Sequence, residues 1–305
     1  MIAVIGSLST DFVVETDILA DRGETVTGRD FHTLFGGKGA NQAIAAARLG
    51  GQVTMFGCVG DDVFGAEILA NLKKEGIDSQ AVEIIPNQSS GSAHITVYQA
   101  DNAIIYIPGA NQEVTVAYLE RHQEALLAEE FFVIQNEIPI ESIQYLIDLA
   151  QSHGKQVIYD PAPAIALDES YVEKCSYLTP NEFELNNLCP NASIEEAIHR
   201  YPERLLVTLG KDGVTYAQQV DRAIQHVPAF SVQAVDTTGA GDTFTGAFAY
   251  ALSQDLPLKE AVAFANGASA LSVQKLGAQT GMPTWEELLA SEYFQEDWLT
   301  YFEKN

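Results

Sequence analysis

Short apolar runs of strand length recur along this 305-residue chain with helical stretches between them, and that alternation limits the possible folds more than any other feature. The strand-like runs are 2–5, 53–57, 132–135, 157–160, 177–178, 205–208 and 214–217. Helical patterns fall at 39–49, 65–75, 140–152, 182–187, 194–200, 241–252 and 258–274. Near-continuous apolar strands joined through helices predict an α/β fold with a mostly parallel sheet and helices on both faces. In such folds sites gather beyond the carboxyl ends of the strands. Two stretches, 12–34 and 91–108, fall outside the rhythm; they are β-rich, and 94–99 with 103–107 reads as a hairpin turning at 100–102. From the residues alone they are either a separate small sheet or an extension of the main sheet's edge. No repeat, low-complexity tract or linker divides the chain, so residues 1–305 are expected to form one large domain with a discontinuous β-rich lid.

Composition narrows the class of function. Sixteen Lys and Arg against 42 Asp and Glu give a formal charge of −26, which repels nucleic-acid phosphates and anionic lipid alike. No partner of either kind is expected. Cys58, Cys175 and Cys189 are odd in number and widely spaced, suggesting neither a disulfide framework nor a zinc site. The first residues read as a buried strand rather than a signal segment, and no apolar run reaches the ~18 residues of a membrane span. A cytoplasmic location is the expectation. The six histidines are scattered without metal-ligand spacing.

Two glycine-rich loops carry the chemistry. Asp236-Thr237-Thr238-Gly239-Ala240-Gly241-Asp242 opens an alanine-rich helix. A helix start offers unpaired N–H groups and a partial positive charge, and glycines let an anion approach them. Asp242 then stands where a carboxylate could take a proton from a hydroxyl attacking a phosphoryl group. The same residues also fit a plain strand-turn-helix junction whose Asp complements the dipole, and the loop alone leaves the two readings even. It is neither a P-loop nor a dinucleotide fingerprint, because the Gly-Lys-Ser/Thr run is missing and Phe244 stands at the third glycine position. The second loop, Gly36-Gly37-Lys38-Gly39-Ala40-Asn41, precedes a helix closed by Gly50-Gly51. Lys38 and Asn41, three apart, share one face of that helix start. In isolation this loop reads more simply as a glycine-rich turn with a solvated lysine.

Together the two loops resemble the paired signatures of the PfkB-type carbohydrate kinases, and within that family the chain looks most like the ribokinases. The resemblance runs through 2–11, 23–27, 59–62, 179–182 and 277–279, essentially the whole length. It implies a ribokinase-like fold whose small β-sheet covers the sugar and often pairs with the same sheet of a second subunit, hence a homodimer. It implies an ATP-dependent kinase acting on the primary hydroxyl of a pentose, D-ribose foremost; deoxyribose, fructose or a nucleoside are the alternatives within the family, and a non-catalytic sugar or nucleotide sensor is the alternative outside it.

The implied roles are specific. Asp242 would be the base, and Gly239, Ala240 and Gly241 the anion hole. Asp11, Gly37, Lys38, Gly39, Asn41 and Glu137 would bind sugar; Ser9 stands where ribokinases commonly carry Asn. Asn181, Thr208, Gly210, Gly213, Gly241 and Asn266 would serve the nucleotide, and Glu184 would hold Mg²⁺ through water, although Asn181 and Glu184 also read as a helix cap. Backbone oxygens near Asp236, Thr238, Ser272, Lys275 and Gly277 would hold K⁺, with Gly281 where a serine often completes that site. Against so acidic a chain, ATP phosphates need local amides, a few cations and a divalent metal.

Overall fold

A computed structural model describes residues 1–98 and 101–302. The strands in chain order are β1 (Ile2–Ile5), β2 (Ser9–Glu15), β3 (Asp30–Gly36), β4 (Val53–Gly60), β5 (Val82–Ile85), β6 (Gly91–Tyr98), β7 (Asp101–Ile107), β8 (Phe131–Gln135), β9 (Gln156–Asp160), β10 (Tyr177–Leu178), β11 (Val207–Thr208), β12 (Val214–Ala217) and β13 (Ile224–Val227). Six of them form a wholly parallel sheet in the order β10-β9-β8-β1-β4-β5. Every residue of β1 and β8 is buried, as a strand covered on both faces requires.

Strand periodicity of two divides the core. Ile2 and Val4 join one apolar cluster, completed by helices Lys38–Arg48, Ala240–Ser253 and Leu258–Ser272. Ala3 and Ile5 face the other, built with helices Val116–Arg121 and Ile140–Ser152. A layer of helices thus covers each face of the sheet, as the strand-helix alternation predicts.

The two irregular stretches form a separate four-stranded sheet, β3-β2-β6-β7, so the alternative of an edge extension does not hold. Within it β2 and β6 run parallel, while β3 and β7 pair antiparallel to them. The sheet starts earlier than expected, at Ser9, and the segment between β2 and β3 is not strand. The hairpin register closes at Tyr98 opposite Asp101, so residues 101 and 102 of the expected turn belong to β7, while residue 100 of that turn and residue 99 before it lie outside the described residues.

The strand expected at 205–208 shortens to Val207–Thr208, because the Leu206 amide bonds to the Leu178 carbonyl while Val207 and Thr208 pair with β12. Bridges from Leu178 to Leu205 and from Asn181 to Thr208 carry the parallel sheet toward the antiparallel trio β11-β12-β13. Strands β5 and β13 and the helices between 116 and 128 were not anticipated. The three cysteines are buried and unbridged, and no described helix is long and apolar enough to cross a membrane.

Candidate active site

The site begins where β1 ends. Helix Lys38–Arg48 starts against residues 6–8: the Ala40 amide donates to the Ser7 carbonyl at 2.9 Å, and the Gly39 amide to the Ser7 hydroxyl at 3.3 Å. Asn111 clamps the next residue like a neighbouring strand, accepting from the Leu8 amide at 2.9 Å and donating to its carbonyl at 3.0 Å. The chain then turns directly into β2 of the small sheet at Ser9. Glu137, just past the end of β8, accepts the Lys38 amide at 3.1 Å and a short hydrogen bond from the Ser7 hydroxyl. Its carboxylate therefore complements the positive end of that helix. Burial raises the Glu137 carboxyl above its usual range, with Lys38 opposing.

Asp11 projects from β2 into the same space. Gly36 of β3, opposite Ser9, makes room for it, since a Cβ there would lie 2.2 Å from Asp11 Oδ1. Burial lifts the Asp11 carboxyl to about 6, aided by Glu137 and Asp242 and opposed by the Ser9 hydroxyl, which donates to Asp11 Oδ1 at 3.4 Å. Ser9 thus addresses Asp11 directly.

Asp242 lies in the first turn of helix Ala240–Ser253 and is buried. That helix begins from Gly239 in the left-handed conformation, φ 75°, where its missing side chain also lets Ala278 pack close. The Ala240 amide folds back on the Thr237 carbonyl at 3.2 Å and the Thr243 amide on Gly239 at 2.8 Å; among the described residues, no backbone acceptor meets the amides of Gly239, Gly241 and Asp242. An anion arriving at this helix start would therefore meet these three amides, with Ala240 already engaged. A Cβ on Gly241 would meet nothing within 4 Å, so the approach to them is open.

Both Asp242 oxygens accept from amides of the other helix start: Asn41 Nδ2 to Oδ2 at 2.8 Å and Gln42 Nε2 to Oδ1 at 3.2 Å. Gln42 also donates to Asp160 Oδ2 at 2.7 Å, and Gln279 donates to Asn41 Oδ1 at 2.9 Å. Asp160, at the end of β9, is pushed well above the carboxylate range by burial, with Lys38 opposing. The Asp242 carboxylate raises the Lys38 ammonium against the effect of burial, and Asp160, Glu137 and Glu184 add to it. Asp11, Lys38, Asn41, Glu137 and Asp242, read from four separate segments, converge on one cleft beyond the strand ends.

On the nucleotide side, Asn181 and Glu184 form a reciprocal capping box on helix Glu182–Leu188, each side chain bonding the other's amide at 2.9 Å. The bridge between Asn181 and Thr208 sets that cap beside the turn through Gly210 and Gly213, which joins β11 to β12 as a hairpin. Asn266 is buried and donates to the carbonyls of Val227 and Pro228, at 3.2 Å each, holding the exit of β13.

Where the cation is expected, Asp236 accepts from the Thr238 amide and hydroxyl and from the Gly277 amide at 2.8 Å. Burial works against ionisation there, but these hydrogen bonds outweigh it and hold the Asp236 carboxyl below its usual range. Lys275 pairs with Glu287 at 2.6 Å. A Cβ at Gly281 would sit 2.3 Å from the Ser272 carbonyl, so a serine there would need the loop to shift.

Ser7, Gln42, Asn111, Asp160 and Gln279 escaped the sequence reading. Asp160 alone had a visible signal, an ionisable residue closing an apolar strand. Among the described residues no three His, Cys, Asp or Glu side chains cluster to hold a metal. The free amides and the Lys38 ammonium are donors suited to phosphate oxygens, and the Glu184 carboxylate lies near enough to act on Lys38.

Known proteins resemble this chain over nearly its whole length. Residues 1–285 match the model of the pfkB family carbohydrate kinases. The chain is 46% identical over 287 residues to the ribokinase of Bacillus subtilis, covering 94% of this chain and 97% of the relative. It is 38% identical over 301 residues to the deoxyribokinase of Salmonella typhi, covering 94% and 96%. The structure of Arabidopsis thaliana ribokinase complexed with ribose and ATP superimposes with a TM-score of 0.85 at 30% identity, covering 94% of this chain and 97% of that one. With its two loops, its parallel sheet and its lid in place, the chain belongs to the PfkB family of carbohydrate kinases.

Proposed function

We infer that the protein is an ATP-dependent ribokinase, moving the γ-phosphoryl group of ATP to the primary hydroxyl of D-ribose to give ribose 5-phosphate. One observation carries the reading: Asp242 stands in the helix turn that offers unpaired amides and accepts a hydrogen bond from Asn41 of the other loop, so base, anion hole and sugar loop meet at one point.

Asp242 accepts the hydroxyl proton as the sugar oxygen attacks phosphorus; the new O–P bond forms while the bond to the bridging oxygen breaks, and ADP leaves. The amides of Gly239, Gly241 and Asp242 face the charge that develops on the transferring group. Asp11 and Glu137 accept from sugar hydroxyls, Lys38 and Asn41 donate, and Gly37 and Gly39 let the loop close on the β1 end. Thr208, Gly210 and Gly213 line the nucleotide, with Asn181 at its edge and Asn266 behind it. Glu184 would hold Mg²⁺ through water, and the ion would supply neutralisation of the phosphate charge when bound with ATP. Carbonyls around Asp236, Thr238, Ser272, Lys275 and Gly277 suit K⁺. The lid, β2, β3, β6 and β7 on a single kinase domain, excludes water from the sugar. Its apolar face suits pairing with a second copy.

Deoxyribose is the second reading, favoured by the deoxyribokinase relative and by Ser9, whose hydroxyl turns to Asp11. Phosphoryl transfer to ribose, 2-deoxyribose, fructose and nucleosides with Mg²⁺, with and without K⁺, separates these. Ribose should lead in kcat/KM; ADP formation with none of them would sink the kinase reading. Asp242→Asn should keep fold and sugar affinity while kcat drops about 10²- to 10⁴-fold. A near-normal kcat removes Asp242 from the base role.

A further inference from the structure

We propose that Gln279 and Asn71 are positioning residues for Asp242, forming with Asn41 a one-way relay of side-chain amides that presents only N–H groups to the base. The proposal deepens the kinase reading and rests on Asp242 as its base.

The relay runs from the surface inward. Asn71, half-buried on helix Val63–Lys74, donates to Gln279 Oε1 at 3.0 Å. Gln279 Nε2 donates to Asn41 Oδ1 at 2.9 Å, and Asn41 Nδ2 donates to Asp242 Oδ2 at 2.8 Å. Asn41 and Gln279 are both buried. A carboxylate can only accept, so Asn41 must show it the NH₂ group; the Asn41 carbonyl then faces Gln279, which must donate in turn. Each amide is oriented by its neighbour. Whatever fixes the polarity of the outer end therefore fixes what Asp242 meets at the inner end.

The Gln279 side chain is not needed to hold its own loop. The Arg48 guanidinium donates to the main-chain carbonyls of Gln279 and Met282, and is itself paired with Glu75 at 2.8 Å. The Gly277 amide is held by Asp236. What remains for the side chain is its place between Asn71 and Asn41.

An NH₂ group only donates, so the relay holds the Asp242 carboxylate by hydrogen bonds and sets no carbonyl against it. It does so without adding charge to a crowded field. Lys38 faces Asp242 from its helix start, and Asp160 from the end of β9, Glu137 from beyond β8 and Asp11 from β2 face it as well. Gln42, held by Gln135 at 2.6 Å, serves the second oxygen and shares its amide with Asp160.

Asn71→Asp tests the relay from its outer end with a near-isosteric change. A carboxylate at 71 accepts instead of donating, so Gln279 turns over, Asn41 follows, and a carbonyl meets Asp242. The acid limb of the kcat–pH profile should move up by about one pH unit, with the KM for Mg·ATP and the melting temperature unchanged. Asn71→Leu, which removes the donor without reversing it, should move the limb less. Lys74→Glu reverses a charge on the same helix without touching the relay and should leave the limb in place. Should Asn71→Asp not fold, Gln279→Glu reads the same reversal. An unmoved limb in the reversing variant, or an equal shift in Lys74→Glu, overturns the relay. The two readings fail separately: if Asp242→Asn abolishes turnover while the limb stays fixed, only the relay falls, and if Asp242→Asn retains turnover, both fall.

Discussion

Asp11 shows how a single side chain can serve binding at the expense of stability. Burial, with Glu137 and Asp242 nearby, lifts its carboxyl to about 6. Sugar hydroxyls donate to the ionised form, so KM for the sugar should rise as pH falls through 6. The sign for folding is the opposite of the usual carboxylate case. A folded value above the unfolded one means the native state holds the proton more tightly, so this group's contribution is unfavourable above pH 6 and vanishes as pH falls toward the unfolded value near 3.8. Asp11→Asn should therefore melt at a higher temperature than the parent protein at pH 8, with the difference fading between pH 6 and 4. Its sugar KM should be higher and no longer vary across that range. Thermal unfolding and initial rates over pH 4.5–8.5 check both; equal melting temperatures at pH 8 would show that Asp11 is not strained by its setting.

Between elements, the decisive contact is the crossing of helices Lys38–Arg48 and Ala240–Ser253, whose starts carry Asn41, Gln42 and Asp242. Gly246 makes that crossing close: a Cβ there would lie 2.4 Å from the Gln42 carbonyl and 2.7 Å from the Ala45 Cβ. Helix propensity alone predicts that Gly246→Ala stabilises by about 1 kcal/mol. Overpacking against backbone predicts a loss of about 1–3 kcal/mol instead, and the second effect should win because the obstructing atoms are main chain and a fixed methyl. Denaturant unfolding gives the sign, and kcat should fall with it as Asn41 draws away from Asp242.

The same crossing marks the limit of what the sequence displays. Helix Ile194–Arg200 could be bounded to the residue because Ser193 and Glu196 form a capping box written locally. The parallel sheet was legible because its strands are apolar on both faces. Strand Val82–Ile85 and strand Ile224–Val227 were not, being short, partly exposed and defined only by their partners. In the site, the glycine loops announced Asp242, Lys38 and Asn41. Gln42 and Gln279 stayed hidden because their meaning lies in bonds to residues 118 and 238 positions away, to Asp160 and Asn41.

At the scale of the whole molecule, charge and the lid pull in different directions. The chain carries −26, so two copies repel at low ionic strength. The lid nevertheless presents apolar surface. Its Val13, Ile95 and Ile104 lie opposite one another across β2, β6 and β7, on the face that also carries Asp11. Ile104 is 56% exposed. The opposite face is partly covered by its own chain, since Phe12 stacks with Phe31 and His94 and meets Phe64 edge-on at 5.0 Å. Phe31 and Ile105 on that opposite face are exposed as well, at 56% and 69%, but only on the Ile104 face would a second copy also finish the cover over the sugar, so that is where it should seat. Apolar burial is little affected by moderate salt, whereas repulsion between like-charged chains is screened within about 10 Å at 0.1 M. Association should then tighten as salt rises from 10 to 200 mM, the reverse of an interface built on ion pairs. Ile104→Asp should give monomers at every salt concentration, and Ile105→Asp, its neighbour on the other face, should remain dimeric. Sedimentation equilibrium across that range reads all three, and a dimer that loosens with salt or survives Ile104→Asp would place the contact elsewhere.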